Sequence, residues 1–293
     1  MTIALVGPGA IGSTIAALVH AAGHPVLLCG RTPRDSIELR PDDGEPIVVP
    51  GPVHTDPATV EGPVDVVLLA VKDTQNDQAA AWLERLCDAN TVVLALQNGV
   101  EQVERVGRHC PESTVVPGVL WFSAETQPGG WIRLRTPARV VLPDVPAAAR
   151  LAVALRSPRL SVDVDPDFVT ATWHKLLFNA VGGLMVLTGR KSGMFRRPDV
   201  ARLARAYLAE CLEVAVAEGA KLGDEVVDQI IGMFTELPAD MTTSILTDRE
   251  QNRPLEWDVR NGVINRKAAE HGLATPISDL LVPLLAAASD GPG

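Results

Sequence analysis

Gly7-Pro8-Gly9-Ala10-Ile11-Gly12 follows directly on the apolar run Ile3-Ala4-Leu5-Val6 near the start of the chain. The run predicts a buried strand that ends at Val6, and the apolar residues after Ala10 recur at helical spacing. Three glycines fit the turn between them. The first permits the turn, the second lets a pyrophosphate approach the backbone, and the third lets helix and strand pack closely. Because the N–H groups at a helix start attract phosphate, we predict that these six residues hold a dinucleotide.

Composition and charge limit the classes of protein to which this chain can belong. Its 293 residues are 46% hydrophobic and carry a formal net charge of −10. The length favours two domains over one core. An acidic chain has no basic surplus to neutralise the phosphates of a nucleic acid, so a nucleic-acid partner is disfavoured.

The sequence also indicates a cellular compartment and whether a metal site is expected. The sequence has no signal-like start and no apolar run of membrane-spanning length, so we expect no membrane association. The four cysteines have no paired spacing, which favours a reduced, cytoplasmic protein without a disulfide framework. The histidines lack partners at metal-ligand spacing, and no metal site is predicted.

Further apolar runs extend the opening strand into a sheet. Pro25–Cys29, Val64–Val71 and Thr91–Leu96 are apolar segments separated by helical patterns, which is typical of a doubly wound parallel sheet. Ligands of such sheets bind outside the carboxyl ends of the strands. Lys72 and Asn98 follow two of these strands, so we expect both beside the glycine loop.

The remaining patterns place a domain boundary near residue 165. Residues 41–60 predict a short hairpin or loop excursion, and residues 115–143 predict antiparallel strands that extend the sheet. We therefore expect a dinucleotide-binding domain over 1–165 and a helical domain over 166–293. The predicted helices of the second domain span 168–187, 199–221, 224–236, 239–250, 255–271 and 277–288.

Arg31 bears on which dinucleotide binds. In sheets of this kind that prefer NAD, an acidic residue at the end of the second strand holds the ribose 2′-hydroxyl. This chain has Gly30-Arg31 there, and the guanidinium can bind a 2′-phosphate, with Arg34 as a second contact. The position therefore favours NADP over NAD, with an ordinary surface arginine as the alternative.

Lys175 and Asn179 lie four residues apart on the first predicted helix of the second domain, away from its apolar face. Polar residues on so apolar a helix are expected to face a cleft. Hydride addition to a carbonyl leaves negative charge on oxygen, which an ammonium group can stabilise and protonate. A helical lysine alone is more often a solvated charge, so the two interpretations stay open at this point.

Five stretches taken together carry a resemblance to a known family. In chain order they are Gly7–Gly12, Val71-Lys72, Gln97-Asn98-Gly99-Val100, Trp173–Asn179, and Ser244 with Leu255-Glu256-Trp257-Asp258. The set resembles the ketopantoate reductase (2-dehydropantoate 2-reductase) family over nearly the whole chain. The segment from Glu256 to Pro276 is similar to that family's second signature.

The resemblance implies a fold and a reaction. The fold is an N-terminal Rossmann-type doubly wound sheet followed by an all-α C-terminal domain, similar to 6-phosphogluconate dehydrogenase. The reaction is the NADPH-dependent reduction of a small 2-oxo acid, 2-dehydropantoate, to (R)-pantoate, the reductive step toward pantothenate and coenzyme A. The oligomeric state is open between a monomer and a homodimer.

The resemblance also implies residue roles. Lys175 is the general acid for the ketone oxygen, and Glu256 holds the substrate hydroxyl and helps to orient Lys175. Such a charge pair would keep both groups ionised. Asn98 lies where nicotinamide and substrate meet. The remaining implied contacts are Asn179 and Ser244 with the substrate, Lys72 with the cofactor, and Arg31 with the 2′-phosphate. Without the resemblance, Glu256 is simply an acidic first-turn residue of a helix.

One position departs from the family pattern. Gly183 stands where the family has an asparagine that binds a substrate hydroxyl, and Gly182 precedes it. The loss removes one hydrogen bond, worth roughly 0.5–1.5 kcal/mol, and we expect a larger pocket or a close approach of ligand or backbone. This departure keeps open a paralogous reductase of another 2-oxo acid. A non-catalytic dinucleotide-binding regulator is disfavoured, because a sensor needs neither Lys175 nor Glu256.

Overall fold

The computed structural model describes residues 1–291 and divides them into two units. Unit 1 contains residues 1–97 and 101–168, and unit 2 contains residues 98–100 together with the chain from Val169 onward. The short segment 98–100 therefore leaves unit 1 and belongs to the second unit.

A six-stranded, all-parallel sheet forms the centre of unit 1. Its strands are β1 (Ile3–Val6), β2 (Val26–Cys29), β5 (Val53–His54), β6 (Val66–Leu69), β7 (Val92–Ala95) and β8 (Thr114–Pro117). The spatial order β5-β2-β1-β6-β7-β8 reverses direction between β1 and β6. A ligand site is expected at the carboxyl ends of these two strands, where the order reverses.

Both faces of the sheet are buried, which explains why its four central strands, β1, β2, β6 and β7, are apolar at every position. In β1, Ile3 and Leu5 pack into one core, whereas Ala4 and Val6 pack into the core on the opposite face. Since side chains alternate across a strand, a strand covered on both faces has no polar position. The helices of unit 1 are α1 (Ala10–Ala21), α2 (Asn76–Leu86), α3 (Gln102–Gly107) and α4 (Pro146–Leu155).

The remaining strands of unit 1 correct one sequence prediction. The hairpin expected within 41–60 exists, with β3 (Ser36–Pro41) antiparallel to β4 (Ile47–Pro50). Residues 115–143, however, do not simply extend the main sheet as antiparallel strands. After β8, they supply β9 (Val119–Trp121), β10 (Ala124–Thr126), β11 (Ile132–Leu134) and β12 (Ala138–Pro143). These strands enter two separate sheets, of order β10-β11-β3-β4 and β13-β12-β9, with β13 at Leu160–Asp165.

Unit 2 is helical. Its helices are α5 (Phe168–Thr188), α6 (Pro198–Ala217), α7 (Glu225–Glu236), α8 (Ser244–Glu250), α9 (Val263–His271) and α10 (Pro276–Ser289). Tyr207, Phe195 and Phe234 are the largest fully buried side chains of its core, and the Phe178 ring stacks on Phe234 at 4.7 Å between centroids. The fold class predicted from the sequence, a parallel α/β sheet followed by a helical region, is confirmed.

The predicted helix over 255–271 is not a single α-helix. Asp258–Gly262 form one turn of π-helix, and α9 begins only at Val263. A π-helical turn inside a helix is rare and is often found at functional sites. The turn begins two residues after Glu256 and carries Arg260 and Asn261 into the interior of unit 2, where both are buried.

Candidate active site

The glycine loop of unit 1 has the shape that a dinucleotide requires. Gly7 adopts φ +97°, and a Cβ there would lie 2.7 Å from the backbone nitrogen of Val71, so a side chain would be strained and crowded. A Cβ at Gly12 would collide with Ala70 and Leu5. At Gly9, by contrast, a Cβ would meet no atom within 4 Å, and no side chain caps α1. The loop therefore leaves open space and N–H donors where a diphosphate would lie.

Arg31 and Lys72 also belong to unit 1. Arg31 is exposed, and its Nη1 donates to the Gln78 side chain at 3.2 Å. The Arg34 guanidinium lies 3.5 Å from the Gly130 carbonyl oxygen. Lys72 is half-buried, three residues beyond the end of β6. These positions are compatible with cofactor contacts, and the roles of Arg31 and Lys72 stay predictions.

Four residues predicted for the substrate meet in one hydrogen-bonded chain within unit 2. Asn179 donates to the Asn98 side-chain oxygen at 3.1 Å, and Asn98 donates to Glu256 Oε2 at 3.1 Å. Glu256 Oε2 also accepts from Arg260 Nη2 at 3.1 Å, and the same nitrogen donates to Ser244 Oγ at 3.0 Å. We call these five side chains the unit 2 polar network. It joins the segment after β7, α5, α8 and the π-helical turn.

Lys175 lies one helical turn before Asn179 on α5. Its Nζ is 5.6 Å from the centre of the Phe178 ring. Burial and, secondarily, the positive charge of Arg260 lower the pKa of Lys175 from 10.5 to about 8. Because such a lysine is mostly protonated at neutral pH yet gives up its proton readily, it suits a general acid.

The electrostatics differ from the expected pairing of Lys175 with Glu256. We expected Glu256 to keep Lys175 ionised, but the pKa of Lys175 is lowered. The ion pair of Glu256 is with Arg260, and both side chains are about 95% buried. The physical reason is local: Glu256 lies just before the helical segment and Arg260 lies four residues later within it, a spacing at which side chains meet.

Arg260 is the site residue that the sequence analysis missed. A glutamate followed four residues later by an arginine is a recognisable helical ion pair, and that spacing could have drawn attention to it. A surface pair would have been the ordinary interpretation of the pattern. Its burial depends on the π-helical turn, which has no clear sequence signal.

Gly183 makes room for a side chain of the protein itself. A Cβ at Gly183 would lie 2.8 Å from Nδ2 of Asn261 and 3.1 Å from Leu285. Asn261 is fully buried, and its Nδ2 donates to the Ala180 carbonyl oxygen at 3.0 Å and to the Tyr207 hydroxyl at 2.9 Å. The expected close approach therefore exists, but it is an amide side chain, rather than an enlarged pocket, that occupies the space.

This geometry predicts opposite effects at two adjacent glycines. Gly183→Ala should lower the free energy of unfolding by about 1–3 kcal/mol, because the methyl group would push against Asn261 in a packed core. Gly182→Ala is the matched control: its Cβ would meet Ile245 at 3.5 Å, an ordinary contact. That control should be neutral or up to about 1 kcal/mol more stable, owing to helix propensity. Urea unfolding of both variants checks this, and equal stabilities would contradict it.

The described residues also bear on metal binding and on membrane insertion. In the described range, residues 1–291, no group of three or more His, Cys, Asp and Glu side chains could hold a metal ion. No helix within that range has the length and hydropathy needed to cross a bilayer. What unit 2 does present is an ammonium group of lowered pKa and a hydrogen-bonded network of one carboxylate, one guanidinium and three neutral side chains. That set can orient a small polar substrate and protonate a developing oxyanion.

Comparison with known proteins identifies the same family along nearly the whole chain. Residues 3–147 match the model of the family described as ketopantoate reductase PanE/ApbA, and residues 167–289 match the model of its C-terminal part. The chain is 66% identical to 2-dehydropantoate 2-reductase of Mycobacterium tuberculosis H37Rv over 291 residues, 99% of each chain. It is 35% identical to the Caulobacter vibrioides enzyme of that name, over 98% of this chain and 99% of the relative.

A solved structure agrees with these relatives. The dimeric ketopantoate reductase of Staphylococcus aureus superposes with a TM-score of 0.88 at 26% identity, covering 99% of both chains.

Proposed function

Since this chain belongs to the ketopantoate reductase family, we propose that it reduces 2-dehydropantoate to (R)-pantoate with NADPH. The observation that carries the proposal is the 66% identity, over 99% of both chains, to a 2-dehydropantoate 2-reductase. The unit 2 polar network supports it, because it supplies the donors and acceptors that a substrate with a carboxylate, a ketone and a hydroxyl requires.

The proposed cofactor site is the glycine loop with Arg31, Lys72 and Asn98. The loop backbone and the start of α1 would hold the diphosphate, and Arg31 would contact the 2′-phosphate. When bound, the reduced nicotinamide supplies a hydride to the ketone carbon. We assign residues 1–165 to the NADP-binding domain and residues 166–293 to the helical substrate and catalytic domain, of which 292–293 lie outside the described residues.

The proposed chemistry of unit 2 begins with orientation of the substrate. Asn98, Asn179 and Ser244 would contact it, and Glu256 would accept a hydrogen bond from its hydroxyl. Both described hydrogen bonds of Glu256 end on Oε2, so Oε1 is available as that acceptor. As hydride adds to the carbon, Lys175 Nζ gives its proton to the ketone oxygen, which becomes the hydroxyl of the product. The ammonium thereby removes the negative charge as it forms.

Arg31 gives a prediction about cofactor preference. Arg31→Ala should raise the KM for NADPH by about 10- to 100-fold, because a hydrogen-bonded contact between charged groups contributes about 1.5–3 kcal/mol. The KM for NADH, which has no 2′-phosphate, should change little. Steady-state kinetics with both cofactors measure the ratio. Gln78→Ala, which removes only the partner of Arg31 in the free protein, is the control, and an unchanged ratio in Arg31→Ala would contradict the role.

We also propose an oligomeric state, a cellular compartment and a class of partner for this protein. A homodimer is supported by the dimeric S. aureus relative. A cytoplasmic location is supported by the four cysteines, all of which are free thiols. A small-molecule substrate follows from the proposed reductase activity, and the acidic net charge of −10 disfavours a nucleic-acid partner.

The function is tested by following NADPH oxidation at 340 nm with 2-dehydropantoate beside a panel of other 2-oxo acids. We expect 2-dehydropantoate to give the highest kcat/KM of the panel. Selective turnover of another 2-oxo acid would replace the proposal with a paralogous reductase. NADPH binding without turnover of any compound would contradict enzymatic function and favour a regulator.

A further inference from the structure

The guanidinium of Arg260 is buried and only partly used. Its side chain is 4% exposed, and Nη2 donates its two hydrogens to Glu256 and Ser244. A guanidinium has five N–H donors, so three are left on Nε and Nη1. Nε is buried without a hydrogen-bond partner. Because a buried, unpaired donor of a charged group is costly, an acceptor is expected to complete this site.

The charges of the site point to the kind of acceptor. Around the network lie two cations, Lys175 and Arg260, and one anion, Glu256. The other carboxylates on this stretch of chain have cations of their own: Asp258 pairs with Arg266, and Asp248 lies 3.9 Å from Arg253. The positive charge of Arg260 therefore lies near a second cation, and it acts on Lys175 strongly enough to lower its pKa. An additional anion bound beside Arg260 would be stabilised, because charges removed from water need a partner of opposite sign.

Building on the proposed function, we propose that Arg260 binds the carboxylate of the 2-oxo acid and makes the site selective for anionic substrates. A bound carboxylate would accept hydrogen bonds from the donors that the network leaves unused. It would also place a second negative charge beside Arg260 and near Lys175. Charge-assisted hydrogen bonds of this kind are stronger than hydrogen bonds between neutral groups, and the planar guanidinium matches the geometry of a planar carboxylate.

The two cations, Arg260 and Lys175, then have different roles. Arg260, held in place by Glu256 and Ser244, recognises the end of the substrate that does not react. Lys175 faces the atom that does. Since Arg260 also lowers the pKa of Lys175, a bound carboxylate would weaken that effect and raise the pKa of Lys175 in the complex.

A pair of substrates that differ only in the carboxylate tests this role. They are 2-oxo-3,3-dimethylbutanoate, which is 2-dehydropantoate without its hydroxyl, and its neutral methyl ester. In Arg260→Gln, kcat/KM for the acid should fall by about 10- to 100-fold, chiefly through KM, whereas that for the ester should change by less than about 3-fold. Arg260→Lys keeps the charge and should lie between the wild type and Arg260→Gln for the acid.

The possible outcomes decide between recognition and a structural role. Equal losses for acid and ester would mean that Arg260 only organises Glu256, and no loss for either would mean that it does not touch the substrate; both overturn the proposal. Arg253→Gln is the matched control, because Arg253 is 60% exposed on the same segment. It should leave both substrates unchanged.

A binding measurement keeps this proposal separate from the proposed function. Calorimetric titration of the NADP⁺-loaded protein with 2-oxo-3,3-dimethylbutanoate should give a Kd at least about 10-fold weaker in Arg260→Gln than in the wild type. If the wild type reduced no 2-oxo acid, the proposed function would fail, and this titration would still decide whether Arg260 binds the carboxylate. An unchanged Kd in a folded Arg260→Gln variant would refute the inference alone.

Discussion

Lys175→Met is expected to lower kcat for 2-dehydropantoate by about 10²- to 10⁴-fold, the usual contribution of a positioned general acid. Methionine keeps an unbranched chain of similar length but has no proton to give. The oxyanion would then form without a nearby ammonium group to stabilise it. Steady-state NADPH oxidation measures the loss.

Two controls show whether the loss is chemical. NADPH binding should be unchanged in Lys175→Met, because Lys175 is not among the residues that we assign to the cofactor, which are the glycine loop, Arg31, Lys72 and Asn98. Lys191→Met changes an exposed lysine and should keep wild-type kcat. A Lys175→Met variant that is folded, binds NADPH and has wild-type kcat would remove Lys175 from the mechanism.

The rate of reduction is expected to fall above pH 8. The active form of Lys175 is the ammonium, and burial together with Arg260 lowers its pKa to about 8. The protonated fraction is then about nine-tenths at pH 7 and about one-hundredth at pH 10, so kcat/KM should drop roughly 100-fold over that range. For an unperturbed lysine the decline would begin only above pH 10.

A pH profile from 6 to 10.5 measures this decline. The limb in kcat/KM reports the free enzyme, and the limb in kcat reports the complex. If the substrate carboxylate binds Arg260, the kcat limb should lie at higher pH, because the bound anion favours the charged lysine. A kcat/KM that is constant to pH 10 would contradict the assignment.

Local patterns were enough to predict much of unit 1. The strand Ile3–Val6 and the helix from Ala10 lie where the sequence places them, and the helix Asn76–Leu86 lies between two of the predicted strands, where a helical pattern was expected. Each depends on periodicity and turn chemistry within about a dozen residues, and packing supports the same choice.

The predictions failed where distant segments meet. β11 pairs with β3, aligning Ile132 with Leu39, and no local pattern in 115–143 indicates that partner. Asn261 fills the space beside Gly183 from 78 positions away along the chain. Sequence reasoning identified the glycine as a close approach but could not identify the neighbour, because tertiary packing makes that choice.

In the candidate site, too, some residues could be predicted from the sequence, whereas one became evident only in the folded chain. The resemblance supplied Asn98, Asn179, Ser244 and Glu256 as substrate residues, and the structure places all four in one hydrogen-bonded network. Their roles are predictions until variants are tested. Arg260 escaped notice because the feature that makes it unusual, a guanidinium buried with an unpaired donor, is a property of the folded chain.

The central claim is that Lys175 protonates the ketone of a 2-oxo acid as hydride arrives. The most direct test is a single-turnover experiment at pH 7, in which protein preloaded with NADPH is mixed with 2-dehydropantoate and the 340 nm signal is followed. We predict rapid oxidation in the wild type and, at equal NADPH loading, a first-order rate at least about 100-fold lower in Lys175→Met. Equal rates in the two proteins would contradict the account.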